Sequence, residues 1–370
     1  MSQEYKVSAR KYRPFNWDTV VGQKSIKATL QRAIETNQLG HAYLFCGPRG
    51  VGKTTCARIF AKAINDWMPG ADGSFEQQDD NDAEYAFNIF ELDAASNNSV
   101  DDIRSLMDQV RIPPQTGKYK VYVIDEVHML SQSAFNAFLK TLEEPPAHAK
   151  FVLATTEKLK ILPTIISRCQ VFDFNRISIQ DMVEHLTMIA QNEGVTVESE
   201  ALHVIAQKAD GALRDALSIF DQAIAFSGNS LTYEAVINNL NILDYDYYFK
   251  ITEQLLSADI SASLLTLNEI FKGGFDGHLF ISGMGEHFRN LLVSKDPGTM
   301  ELMELSGSVK DRYLAQSEKA TIKWLIDAMD MINKADVQYK GSKNQRLLVE
   351  LTMMQIGSLK ESEEKKKPVG

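Results

Sequence analysis

The run "GPRGVGKTT", Gly47 to Thr55, constrains this chain more than any other stretch. It fits the pattern G-x-x-x-x-G-K-[ST], which works only between a strand and a helix. Both flanks comply. Ala42-Tyr43-Leu44-Phe45-Cys46 is an uninterrupted apolar run, as expected of a strand buried in a parallel sheet. Beyond Thr54, apolar residues at Ala57, Phe60, Ala61 and Ile64 recur with helical period. Gly47, Gly50 and Gly52 let backbone N–H groups converge on phosphate oxygens with no Cβ in the way. The helix N-terminus adds positive potential. Lys53 is expected to reach the β- and γ-phosphates and the Thr54 hydroxyl to hold Mg²⁺, while Pro48, Arg49, Val51 and Thr55 complete the loop. The expectation is an ATP or GTP site. Because kinases, GTPases and motors share the pattern, it names a ligand and leaves the task open.

A second constellation belongs beside it. "VYVIDEVHML" is a four-residue apolar run ending in Asp125 and Glu126. Ligands in open α/β sheets bind at the C-terminal ends of strands, so two carboxylates delivered there suit the same site. Asp125 is expected in the Mg²⁺ shell, and Glu126 as the base that orients and deprotonates a water. An acidic turn after a core strand is the bland alternative. "FVLATT" is another such strand, ending in Thr155 and Thr156, whose hydroxyls are candidates to hold that water. Between the two, Phe135, Phe138, Leu139 and Leu142 form one helical face, which Pro145-Pro146 terminates. Arg168 falls at the end of a short helix before a strand, and Arg214 on a later helix. From the residues alone, a surface arginine and an intrahelical ion pair stay open for these two. His128, beside the two carboxylates, reads as a packing residue.

Residues 1–178 alternate β-rich runs, at 42–46, 89–92, 121–124, 151–154 and 170–174, with helical patterns, the rhythm of a parallel α/β sheet. Residues 179–242 are helical only and of a size for a small lid. Residues 243–360 remain helical, with Leu347, Leu348, Leu351 and Met354 spaced as one buried face. Residues 361–370 are charged and aperiodic, as for a flexible tail.

Composition sets outer bounds. No apolar run approaches a membrane span, and the first residues lack the apolar centre of a signal peptide, so a cytoplasmic chain with no membrane partner is expected. Cys46, Cys56 and Cys169 lack metal-type spacing and read as small buried hydrophobes. A net charge of −10 argues against a nucleic-acid partner until its distribution is read. Seven acidic residues and no basic one fall between Asp66 and Tyr85, which leaves −3 for the rest. That excursion is expected to be an exposed loop or short helix.

Together, "ARKYRPFNWDTVVGQ", "HAYLFCGPRGVGKTT", "ELDAASNNSVDDIR", "VYVIDEVHMLSQSAFNAFLKTLEEPP", "FVLATTE", "SRC" and "GALRDALS" resemble the gamma/tau subunits of bacterial DNA polymerase III, the ATPases of the sliding-clamp loader. The stretches occur in family order over about residues 8 to 225. The resemblance implies an α/β AAA+ P-loop core with a parallel sheet, a small helical lid and an all-helical collar for oligomerisation. It implies Thr156 as the sensor beside the γ-phosphate, Arg214 as the lid's sensor, and Arg168 as the finger completing a neighbouring subunit's site. It implies ATP and Mg²⁺ as ligands, and other clamp-loader subunits (in a hetero-pentamer or homo-oligomer), a sliding clamp and primer–template DNA as partners. For the DNA contact "SNNSVDDIR" is favoured, with Asn97, Asn98 and Arg104 as candidates. Ser99 and Asp102 make a capping pattern there, and a merely capped surface helix stays open. One departure is plain. The family usually carries four zinc-binding cysteines where this chain has its acidic, cysteine-free excursion, so no zinc is expected. The resemblance implies a second departure, in length: the longer tau form carries further domains, and this chain is expected to stop before them. A non-hydrolysing structural subunit would typically have a degraded P-loop, and a junction-migrating AAA+ motor would lack the "DEVHML", "LEEPP" and "SRC" run.

Overall fold

The structure, a computed structural model, describes residues 7–69, 75–77, 88–115, 117–240, 243–303, 305 and 307–364. It divides into two compact units. The first runs to residue 195 and resumes at 205–222; the second takes 196–204 and the chain from 223 onward.

The first unit is built on strands β1 (Ala42–Cys46), β2 (Trp67–Pro69), β3 (Phe75–Gln77), β4 (Ile89–Asp93), β5 (Lys120–Asp125), β6 (Ala149–Thr155) and β7 (Gln170–Asp173). Five of them form one sheet in the order β4-β5-β6-β1-β7, every pairing parallel. All five segments expected from sequence are strands. Side chains alternate between two buried faces, as parallel strands covered on both sides require. Tyr43, Phe45, Val121, Val123 and Val152 meet Leu30 of the helix Lys24–Glu35 and Phe60 of the helix Lys53–Asp66 on one face. Leu44, Tyr122, Ile124, Phe151 and Leu153 meet Ile103 of Val100–Val110 and Phe138 of Gln132–Glu143 on the other.

β2 and β3 form an antiparallel ribbon within the acidic excursion. That corrects the expectation of a loop or short helix for residues 67–69 and 75–77. Acidic content signals exposure, and backbone pairing across a short connection is compatible with it. Most of the excursion, on which the zinc expectation also rests, lies outside the described residues.

The second unit is helical, apart from a two-residue parallel pairing of Thr196–Val197 with Ser230–Leu231. Helices Tyr245–Leu256, Ile260–Lys272, Gly277–Val293, Gly307–Ser317, Ile322–Tyr339 and Gln345–Glu364 enclose one core. The last helix runs four residues into the stretch expected as a tail, and 365–370 lie outside the described residues. Its buried line is Val349, Met353 and Ile356, whereas Leu347 and Leu351 are about half exposed. This corrects the expected face at Leu347 and Leu351, while Leu348 packs partly buried against the core and Met354 is intermediate: the helix carries two apolar stripes, and packing selects one.

A polar knot sits inside this core. His287 Nδ1 is 2.9 Å from Tyr313 Oη, and Nε2 is 3.0 Å from Gln316 Oε1. The Gln316 amide nitrogen donates to the Phe249 carbonyl at 2.8 Å, which fixes Oε1 as acceptor. His287 therefore donates through Nε2 and accepts from Tyr313 at Nδ1. Burial pulls its pKa down to about 3, offset in part by Gln316. Among the described residues, no helix is long and apolar enough to cross a membrane.

Candidate functional site

Sheet register gathers the site. Cys46, the last residue of β1, pairs with Thr155 of β6 and Asp173 of β7, and Asp93 of β4 pairs with Asp125 of β5. Loops leaving these strands therefore meet at one edge. Gly47 donates its N–H to the Thr155 carbonyl at 3.2 Å, and Phe174 donates to the Cys46 carbonyl at 2.7 Å. Gly47 has φ +145, and a Cβ there would run into the Phe174 carbonyl oxygen. Gly50, with φ +77, lies under Ala212 and Arg214, whose Cβ atoms would stand 3.0 and 3.5 Å from an added one. The loop is thus fitted between β7 and the segment bearing Arg214.

Lys53 opens the following helix and is only 6% exposed. Its ammonium donates to the carbonyls of Gly47 and Pro48 at 2.8 and 2.7 Å. Burial lowers its pKa, against the opposing pull of Glu126 and Asp125. Val51 is buried, while Arg49 stands exposed on the loop. Thr54 donates from Oγ1 to Asp125 Oδ2 at 2.6 Å. The Thr55 hydroxyl accepts from Arg13 Nε at 3.4 Å.

Glu126 takes a left-handed backbone, φ +47 and ψ +43. A non-glycine residue there costs about 1 kcal/mol or more. The turn breaks the strand's alternation, so adjacent carboxylates are not sent to opposite faces as they would be in extended chain. The Glu126 N–H donates to Asp125 Oδ1 at 2.9 Å, and the Thr156 hydroxyl donates to Glu126 Oε2 at 3.0 Å. Lys53, Thr54, Asp125, Glu126 and Thr156 are thereby linked around one loop.

The other candidates lie apart from that cluster or touch it through backbone. Arg214 donates its backbone N–H toward the Gly50 carbonyl at 3.4 Å, and its side chain is exposed. Arg168 donates to the Thr164 carbonyl at 2.7 Å and to Glu143 at 2.8 Å, in an exposed ion pair. Neither bond reaches the Gly47–Thr55 loop. Ser99 and Asp102 form a complete capping box on the helix Val100–Val110. Asn98 is exposed, Arg104 faces Asp101 at 3.5 Å, and the Asn97 amide turns back to the Asp93 carbonyl at 3.1 Å.

Two residues were missed by sequence reasoning. Arg13 is half-buried near Thr55, and its pKa falls through burial and the neighbouring Arg58, with Glu91 opposing. His128 is a buried imidazole joined to Thr155 Oγ1 at 3.1 Å and flanked by Glu126 and Glu157, not merely packing. Only its position two residues after Glu126 gave any signal.

Thr54 Oγ1 and Asp125 Oδ2 make a hard-oxygen pair that fits Mg²⁺, which takes few protein ligands and fills its shell with phosphate oxygens and water. Among the described residues, no group of three or more His, Cys, Asp or Glu is arranged to hold a metal.

Comparison with known proteins bears on the same edge. The family described as "DNA polymerase III, delta subunit" matches residues 22–178, and "DNA polymerase III clamp loader subunit, ATPase lid domain" matches 181–229. The chain is similar to DNA polymerase III subunit tau of Bacillus subtilis, with 41% identity over 95% of this chain and 63% of that one. It is similar to DNA polymerase III subunit gamma of Buchnera aphidicola, with 38% identity over 78% of this chain and 76% of that one. The chain thus spans less than two thirds of the length of the Bacillus relative. Among solved structures, the Thermotoga maritima RuvB Holliday junction branch migration motor shares the fold, with TM-score 0.50 and 19% identity over 70% of this chain and 85% of that one.

Proposed function

The chain belongs to the gamma/tau family of bacterial DNA polymerase III, whose fold is AAA+, and on that premise we propose that it is an ATPase subunit of a clamp loader. Binding and hydrolysis of ATP would drive an assembly that opens a sliding clamp and sets it on primer–template DNA in the cytoplasm. The observation that carries this reading is the linked set Thr54–Asp125–Glu126–Thr156 around the Lys53 loop. A degraded, non-hydrolysing subunit has no reason to keep a strained glutamate there.

In this reading the loop and Lys53 bind the phosphates, and Thr54 and Asp125 would hold Mg²⁺, which would offset the phosphate charge. Glu126 draws a proton from a water as its oxygen bonds to the γ-phosphorus. The bond to the bridging oxygen breaks, and ADP and phosphate leave. Thr156 orients Glu126 and senses the γ-phosphate, Arg214 reports nucleotide to the lid at residues 179–242, and Arg168 serves a neighbour's ATP. The helices of 243–360 form the collar, a role supported by exposed apolar residues such as Leu265, Ile326, Val337 and Leu351. Asn97, Asn98 and Arg104 touch DNA; exposed Arg104 and Asn98 favour this, and Asp101 and Asp102 weaken it. No zinc is assigned. Burial pushes the Cys46 thiol up to about 11 and Cys56 and Cys169 up to about 12.

The test is ATP turnover with the partner subunits, measured with no addition, with a sliding clamp, and with clamp plus primed DNA. Strong stimulation only by the complete mixture is expected. Stimulation by a four-way junction and indifference to the clamp would favour a junction motor instead.

A further inference from the structure

We propose that His128 is the positioning residue of the Glu126 carboxylate, anchoring one of its oxygens so that the other is left for water. The proposal rests on the hydrolytic reading of Glu126 given above. Both contacts to the Glu126 side chain fall on a single oxygen. Thr156 Oγ1 lies 3.0 Å from Oε2, and His128 Nδ1 lies 3.4 Å from the same atom. Oε1 takes no hydrogen bond among the described residues. A carboxylate fixed through one oxygen keeps its orientation and still offers an acceptor, which is what abstraction of a proton from a positioned water demands.

The ring is itself fixed on every polar atom. Nδ1 also meets Thr155 Oγ1 at 3.1 Å, and that hydroxyl accepts the Glu157 N–H at 3.0 Å. Nε2 faces Glu157 Oε1 at 3.3 Å. The hydrogen-bond partner of Nδ1 is Thr155 Oγ1, while the two ring nitrogens stand at ion-pair distance from the Glu126 and Glu157 carboxylates, which only accept. Glu157 in turn is held by Lys160 at 2.9 Å, the main reason its pKa is lowered. The His128 side chain is 6% exposed, whereas that of Glu157 is 46% exposed. A line of contacts thus runs from the base at the P-loop, through a buried ring, to the surface turn Lys158–Lys160. A histidine kept only for packing would not need both nitrogens aimed at acidic groups.

Side-chain length separates the two ring contacts. Asparagine carries its amide nitrogen at the δ position and can replace Nδ1 toward Glu126, while glutamine carries it at the ε position and reaches toward Glu157. Turnover and nucleotide affinity would be measured for the assembled complex with clamp and primed DNA, using a fluorescent ATP analogue for affinity. His128→Gln and His128→Ala should lower kcat about ten- to a hundredfold with affinity within twofold, as loss of orientation at a base predicts. His128→Asn should recover most of that loss. Glu157→Gln, at an exposed position with little risk to folding, should lower kcat severalfold by loosening the ring. Equal losses for Asn and Gln, or loss of affinity in step with kcat, would overturn the proposal. If His128→Asn does not fold, full turnover in Glu157→Gln overturns it and a kcat-only loss supports it. Glu126→Gln is the control that tells two failures apart. If it too hydrolyses normally, the hydrolytic reading of Glu126 fails; if it stalls while His128→Gln turns over at the wild-type rate, only the role of His128 falls.

Discussion

Lys53 and Glu126 sit in one cluster and should fail in different ways. Lys53 is the buried cation of the loop, its charge drawn toward Gly47, Pro48 and the two carboxylates. In the proposed reading Lys53 faces phosphate, so Lys53→Ala should take ATP affinity below detection. Glu126→Gln keeps size and the contact to Thr156 but cannot take a proton, so ATP should bind normally while turnover drops about a hundredfold or more. Equal loss of binding in both variants would show that this division of roles is wrong. That the two residues gather at one site was legible because loop and strand motifs are contiguous and their spacing is itself the geometry. His128 was not legible. Its partners Thr155 and Glu157 come from β6 and the turn after it, and only the parallel pairing of β5 with β6 brings them alongside. Arg13 escaped for the same reason, since nothing in "KYRPFNW" foretells contact with Thr55.

At the scale of elements, helix Val100–Val110 and the buried knot of the second unit carry separate tests. The helix begins with a reciprocal Ser99–Asp102 box, and Ser99→Ala should cost about 1 kcal/mol of stability by thermal or denaturant unfolding. If this helix meets DNA, Arg104→Ala should also lower the salt dependence of binding by about one counterion, and an unchanged slope would leave it a merely capped helix. His287 predicts a pH dependence. The unfolded imidazole takes its proton near 6.5 and the folded one only near 3, so between those values the unfolded chain binds the extra proton. Its stabilisation is complete above about pH 6.5 and is lost as pH falls toward 3, at up to about 1.4 kcal/mol per pH unit. Unfolding followed from pH 7 to 5 should show a steeper decline for wild type than for His287→Gln; parallel slopes would count against it. Sequence period revealed that these helices exist. It misjudged which stripe of Gln345–Glu364 is buried, because Leu347 and Leu351 are as apolar as Val349 and Met353 and only tertiary packing chooses between them.

At the scale of the whole molecule, the role proposed for Arg168 bears on whether one chain is a complete enzyme. In the proposed reading the P-loop, Asp125 and Glu126 would hold ATP, Mg²⁺ and water, yet they would add little positive charge for the γ-phosphoryl group as it departs. An arginine commonly supplies it, at about 10³ to 10⁵ in rate for well-studied GTPases. Arg168 does not bond to its own loop. It holds Glu143 in a pair whose side chains are 34% and 53% exposed, and such surface pairs contribute about 0–1 kcal/mol, so the guanidinium can exchange partners at little cost. A neighbour's phosphates would outbid that carboxylate. Arg168→Ala should therefore leave folding and nucleotide affinity nearly intact, while hydrolysis stimulated by clamp and DNA falls on the order of 10³-fold. The sharper test mixes Arg168→Ala chains, which keep an intact P-loop, with Lys53→Ala chains, which keep an intact arginine. Where the second abuts the first, one whole site is rebuilt from two defective chains. Recovery of turnover in the mixture, above that of either variant alone, is expected. A mixture no more active than its parts, with assembly verified by mass, would mean that Arg168 acts within its own chain or not at all, and the chain would then have to draw its missing charge from elsewhere.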